Sequence, residues 1–153
     1  MLIQALIAAG LVVVTVVIHA AGFSALLRAI MRSRSLRRFG FWPTTQLLIV
    51  VTCWLILVHL IEICVWGSFY FWQGCLPDAE TAIYFSAGTY TSVGFGDIVL
   101  APPWRILGPL ETLTGILMTG LSTGVFFAIV NQRIRNWMQT YPAAKHGAGP
   151  IYE

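Results

Sequence analysis

Three stretches of this chain are long, apolar and poor enough in charge to cross a lipid bilayer, and they settle its fold class before any motif is considered. Leu2 to Ala21 is a run of twenty residues without a charge. At about 1.5 Å per residue, a helix of that length crosses the roughly 30 Å of hydrocarbon in a bilayer. A second span runs from Leu47 to Trp72 and a third from Ile106 to Val130. Charged residues make up 10% of the chain, against about 25% in a soluble domain. With 58% hydrophobic residues and a mean hydropathy of +0.78, the surplus apolar surface must face lipid. The expected class is an all-α membrane protein.

The placement of charge sets the topology. Eight of the nine basic residues fall in two groups, Arg28, Arg32, Arg34, Arg37 and Arg38, then Arg133, Arg135 and Lys145. An arginine run can bind nucleic acid, but this one sits between apolar spans, where a juxtamembrane patch is the better reading, so no nucleic acid partner is expected. With three spans, both groups fall on one side, which the positive-inside rule makes cytoplasmic. The N-terminus is then outside, the C-terminus cytoplasmic, and the chain is multi-pass in the cell membrane. Gln73 to Arg105 faces the exterior and holds one basic residue, Arg105, against Asp78, Glu80 and Asp97. The first residues lack the basic start and cleavage site of a signal peptide, so the first span reads as retained. Trp66, Phe69, Tyr70, Phe71 and Trp72 crowd the outer end of span two, Trp104 opens span three, and Trp42 and Trp137 sit at the inner side. That distribution matches interfacial aromatic belts.

The outer segment is too polar and too punctuated by glycine and proline to cross. Pro77 ends what precedes it, Asp78 is a good N-cap, and a short re-entrant helix follows to Tyr90. Next comes Thr91-Ser92-Val93-Gly94-Phe95-Gly96-Asp97. A potassium ion sheds water only where oxygens replace its hydration shell. Successive backbone carbonyls aim one way only in a conformation that needs glycine at alternate positions, which Gly94 and Gly96 satisfy. Ser92 adds a hydroxyl at the inner mouth. The C-terminus of the short helix carries partial negative charge and favours a cation beside it.

This segment resembles the signature of the potassium channel superfamily, Thr-Val-Gly-Tyr-Gly-Asp, flanked by an outer and an inner helix. The whole chain resembles small bacterial two-helix ion channel proteins with an extra N-terminal helix. The resemblance implies a transmembrane helix in 1–25, a cytoplasmic linker over 26–46 and a pore domain over 47–132. Within that domain it implies an outer helix 47–72, a pore helix 78–90, a filter 91–97 and an inner helix 104–132, before a short tail, 133–153, expected to be disordered. It further implies that Ser92, Val93, Gly94, Phe95 and Gly96 coordinate potassium between Thr91 and Asp97, in a homotetramer embedded in lipid. Two residues depart from the signature: Ser92 replaces threonine and Phe95 replaces tyrosine, which loses a phenol that could brace the filter and points to inactivation. The alternatives are a channel that passes sodium and potassium alike, and a non-conducting regulatory subunit.

In span three, Gly115 lies where the family places an inner-helix bend, although close packing serves equally as its role. Gly120 and Gly124 fit a small-residue packing motif. By the resemblance, Ile116, Thr119, Thr123 and Phe127 face the central cavity, with Phe127 as a hydrophobic constriction. Ionisable groups inside spans are costly and turn inward. His59 and Glu62 share a helix face and are candidates for supporting the filter and sensing pH. His19 reads as a satisfied core histidine, and Glu111 as an outer-end residue near the interface. Cys53 and Cys64 lie in an apolar span as small hydrophobes, and Cys75, in the loop, is a free thiol or a cross-link between subunits. Span one lacks the regular basic residues of a voltage sensor, and the tail is too short to bury a core. There is no nucleophile–base pair, metal cluster or phosphate loop, so no enzyme activity, small-molecule substrate or cofactor is expected; potassium is only the permeating ion.

Overall fold

The computed structural model describes residues 2–33 and 40–140. It contains α1 (Leu2–Arg32), α2 (Phe41–Trp72), a short α3 (Ala79–Tyr90), one 3-10 turn (Trp104–Ile106) and α4 (Leu107–Thr140). Three of these helices are long and apolar enough to cross a membrane, with mean hydropathy 2.4, 2.6 and 1.9 over their most apolar windows. The third value is the lowest because α4 carries the threonines, serine and glycines of the inner span.

The long helices run up, down and up. On α1 and α2 the paired positions mirror each other: Thr15 meets Trp66, His19 meets Glu62, and Gly22 meets Val58 and Trp54. On α2 and α4, Tyr70 meets Glu111 and His59 meets Ser122. The C-terminal ends of α1 and α4 therefore lie together, and Arg28, Arg32, Arg133 and Arg135 gather at one end of the bundle. Arg34, Arg37, Arg38, Lys145 and the tail beyond 140 lie outside the described residues.

The helices run further than the sequence reading gave them. α1 continues to Arg32, and α2 starts at Phe41 rather than Leu47, so the linker of 26–46 contracts to residues 33–40. Pro43 sits in the first turn of α2, where its missing N–H has no helical partner to lose. At the other end α4 carries on to Thr140 through Arg133 and Arg135, residues assigned to a disordered tail. Charge ends a membrane span, but it does not end a helix.

Two cores hold the bundle. Near the basic end, Leu26, Leu47, Val51 and Leu55 are buried with Phe23 and Ile129 against them. Toward the other end, Trp66, Tyr70, Ala82, Tyr90, Leu107 and Met118 pack with Ala8. Trp66 and Tyr70, placed in the aromatic belt by sequence, are instead fully buried. Trp72, 89% exposed, and Phe71, 50% exposed, keep the belt position. Cys53 and Cys64 lie on exposed faces of α2, whereas Cys75 is half-buried and free, its thiol pushed up by burial.

α3 does not cross. Asp78 caps it, accepting from Thr81 N and Thr81 Oγ1 at 2.8 Å each. Those bonds, the backbone one foremost, hold the Asp78 carboxyl below its ordinary value. The cap is present above the unfolded carboxyl value and is lost as pH falls through the lowered folded one. From that cap α3 descends along α2: Ser86 Oγ lies 2.9 Å from Ile63 O, and a turn later Tyr90 reaches Glu62. Its C-terminus thus stops part-way down the bundle.

α1 is tied to the rest by side-chain bonds as well as by packing. Trp66 Nε1 donates to Thr15 Oγ1 (3.0 Å), and Trp54 Nε1 donates to Gly22 O (2.9 Å). Between membrane helices such a bond contributes about 1 kcal/mol. Trp66→Phe and Thr15→Val are each expected to lower the thermal midpoint in detergent. The double variant is expected to fall no further than the worse single one, because the two share one bond. Additive losses would show that packing alone holds α1.

Candidate functional site

The segment after α3 is a loop with an unusual backbone. Ser92, Gly94 and Gly96 have φ of 57°, 51° and 79°, while Val93, Phe95 and Asp97 between and beyond them stay at negative φ. Left-handed backbone at every second position is the alternation that lets consecutive carbonyls point to one side of the chain. The two glycines take it freely. Ser92 takes it with a side chain, and its Oγ donates to Thr91 O at 2.6 Å. The alternation was expected at the two glycines; Ser92 joins it.

The loop is anchored on the last turn of α3. Thr91 N and Thr91 Oγ1 both donate to Ala87 O, at 3.1 and 2.6 Å. Ser92 N donates to Thr89 O and Gly94 N to Gly88 O, each at 3.0 Å. The carbonyl end of the helix, which carries its partial negative charge, therefore opens into the loop. At the far end Tyr84 Oη donates to Asp97 Oδ2 (2.9 Å), and the Phe95 ring stacks on Tyr84 with centroids 6.0 Å apart and planes 9° apart. The bond to Asp97 pushes the Tyr84 phenol above its ordinary value. Tyr84 thus braces both Phe95 and Asp97. Sequence reading missed it, because an aromatic on a short helix carries no mark of what it will face.

Behind the loop lie two buried carboxylates. Tyr90 donates a short hydrogen bond to Glu62 Oε2 and lies 2.9 Å from His59 Nδ1. Glu62 is fully buried, and its other oxygen is 2.8 Å from His19 Nδ1. His59 and Glu62 are thus brought together beside the last residue of α3. His19 is buried and hydrogen-bonded, as a satisfied core histidine is, and it joins their cluster because α1 lies directly against α2. Glu111 also departs from expectation. It is fully buried, accepting from Tyr70 Oη (2.7 Å) and Ser86 Oγ (2.5 Å), rather than sitting at the interface. Ser86 and Tyr90 are one turn apart on α3, so the two carboxylates hold the same face of that helix at successive levels.

On α4, Thr112 Oγ1 donates to Thr89 O (3.0 Å), and Gly115 lies against the backbone of Tyr90. A Cβ on Gly115 would come within 2.0 Å of Tyr90 O, so close packing is the role this glycine serves here. Ile116, Thr119, Thr123 and Phe127 are all exposed on one side of α4, with Gly120 and Gly124 among them and nothing within 4 Å of a Cβ on either glycine. Val93 and Phe95 are likewise 56% and 68% exposed. One face of the loop and this stripe of α4 are both open within the single chain.

Gly115→Ala is expected to displace α3 or destabilise the protein by roughly 3 kcal/mol, as for overpacked sites. Gly10→Ala, on an open face of α1, should be neutral or slightly stabilising, since nothing lies near its Cβ and alanine favours helix. Thermal melts of the two variants side by side check this. Equal stability would mean that α3 and α4 do not pack at this distance.

A family described as "Ion channel" matches residues 47–132, from the first core leucine of α2 to the polar end of α4. No curated protein is significantly similar to the chain, and no solved structure is either. The matched span covers more than half of the 153 residues and contains α3 and the loop between two membrane helices; the chain belongs to the ion channel family.

Proposed function

We propose that four copies of the chain surround a pore that passes potassium in preference to sodium, with the loop 91–97 as its filter. The observation that carries this reading is the left-handed backbone at Ser92, Gly94 and Gly96, set at the carbonyl end of a helix that stops inside the bundle. Carbonyls from alternating residues supply a ladder of oxygens to a dehydrated cation, and Ser92, Val93, Gly94 and Phe95 are the residues that hold it. A single loop covers only one side of an ion, and the unneighboured faces of the loop and of α4 suit a ring of copies closed by fourfold symmetry. In that ring Ile116, Thr119, Thr123 and Phe127 line the cavity below the filter. The basic ends of α1 and α4 lie in the cytoplasm and the Asp97 end of the filter outside. Permeation is passive, without catalytic chemistry.

The test is the reversal potential of the purified protein in a planar bilayer, with potassium on one side and sodium on the other. A reversal far toward the potassium equilibrium value is expected. Gly94→Ala should remove that current, because an L-residue at φ of 51° costs about 1–2 kcal/mol and tips the loop out of its alternation. Reversal near zero with robust current would leave a cation channel without selectivity. Silence from a protein that is not a tetramer would leave a non-conducting subunit.

Tyr84→Phe keeps the stacking on Phe95 and removes only the bond to Asp97. Current through this variant is expected to decay severalfold faster during maintained conduction than in the wild type. An unchanged time course would mean that Asp97 needs no brace from α3.

A further inference from the structure

The cluster behind Tyr90 contains more than a carboxylate pair. His19, His59 and Glu62 come from two helices, and one ligand atom from each lies within 4.8 Å of the other two. His19 Nδ1 is 2.8 Å from Glu62 Oε1, and His59 Nδ1 is 3.3 Å from Glu62 Oε2. Both rings therefore turn the same nitrogen, Nδ1, toward one carboxylate. Both turn the other nitrogen, Nε2, toward a single oxygen on a third helix: Ser122 Oγ lies 2.9 Å from His59 Nε2 and 3.4 Å from His19 Nε2.

That pattern has a chemical consequence. A serine oxygen has two lone pairs and accepts an N–H from each ring. With the hydrogens on Nε2 and donated to Ser122, each Nδ1 presents a lone pair to a carboxylate that also presents lone pairs. Three electron-rich atoms then converge on one point, and either protons on the rings or a metal ion among them makes the arrangement favourable. A histidine that ligates a metal through one nitrogen and donates the other N–H to a fixed oxygen is the usual form of a metal site and its supporting shell.

We propose that His19 Nδ1, His59 Nδ1 and a Glu62 carboxylate oxygen form an intramembrane site for a divalent transition-metal ion of the zinc type. Zinc bound at about 2.0–2.1 Å in a tetrahedron sets its ligands roughly 3.3 Å apart. The nitrogen–oxygen separations, 2.8 Å to Oε1 and 3.3 Å to Oε2, are close to that spacing, and all three ligand atoms lie within 4.8 Å of one another. Two imidazoles and one carboxylate select zinc, copper or nickel over calcium or magnesium, which take oxygen ligands. The fourth position is open to the Tyr90 hydroxyl, which touches both Glu62 and His59, or to water. His59 is 19% exposed while the other two are buried, so the ion has one side to enter by. A bound ion would clamp α1 to α2 directly. It would act on α3 through Tyr90, next to the filter loop, and on α4 through Ser122.

The experiment uses the full chain in detergent, stripped with chelator and titrated with cobalt(II). Tetrahedral cobalt with nitrogen and oxygen ligands gives intense visible bands, whereas octahedral cobalt gives weak ones. The expected result is an intense spectrum saturating at one cobalt per chain, without thiolate charge-transfer bands, and bleached by zinc. A variant with Cys53, Cys64 and Cys75 all replaced by serine should keep the spectrum. His19→Gln and Glu62→Gln, checked for folding by circular dichroism, should each weaken cobalt binding at least tenfold. Zinc should also raise the thermal midpoint of the wild type alone. Weak octahedral bands in the wild type overturn the proposal without recourse to any variant, and mean that protons alone bridge the cluster. An intense spectrum that survives in folded His19→Gln, or vanishes with the cysteines, overturns it as well. Each readout is binding rather than current, so the result stands apart from the question of ion selectivity.

Discussion

A carboxylate with no access to water organises this bundle. Glu62 sits on an apolar helix at full burial, where an uncompensated charge costs several kcal/mol, and every helix answers that cost. α1 supplies His19, α2 itself supplies His59, and α3 supplies Tyr90. α4 supplies Ser122, which holds the outer nitrogens of both rings. Remove the carboxylate, and His19 and Tyr90 each lose a partner inside the bundle. Glu111, next to Ser86 and Tyr70, repeats the device one level along α3. Two fixed points on one face of a twelve-residue helix define both its depth and its rotation. The loop 91–97 begins at the next residue, so its position follows from theirs.

The apolar helices alone would not achieve this. Lipid tails compete equally well for leucine and valine, so hydrophobicity places helices in the membrane but discriminates poorly among their mutual arrangements. Close approach does discriminate: Gly115 lets α4 touch the backbone of Tyr90, and Gly67 does the same for α2 against Ile83. Buried polar pairs do so more sharply, since a wrong rotation leaves them unpaired in hydrocarbon. His19, Glu62, Glu111 and Ser122, all buried inside the spans, sit at such helix contacts.

The parts legible in the sequence were those whose signal is local. Absence of charge over twenty residues marks a span wherever it occurs, and the cap at Asp78 is written within three residues of itself. Gly94 and Gly96 announce a backbone that ordinary residues avoid. Helix ends were less legible, because Pro43 and Arg133 look like terminators and are none: one falls in a first turn, and the other extends a helix beyond the apolar region. Pairings across helices were not legible at all. Nothing near His19 says that it meets Glu62, forty-three positions away, or that Glu111 turns inward to Ser86. Tyr84 and Asp97 are closer in sequence, but their meeting depends on the loop folding back on its own helix.

The mirrored pairing of α1 with α2 has a consequence for how the chain can change by insertion or deletion. Thr15, His19 and Gly22 meet Trp66, Glu62 and Val58 in strict reverse order, like teeth on two combs. One residue added between Thr15 and His19 turns everything on one side of it by about 100° and leaves either Trp66 or Glu62 without its partner. The same residue added between 33 and 40 changes neither face. The first helix is therefore bound to a single alignment along its length.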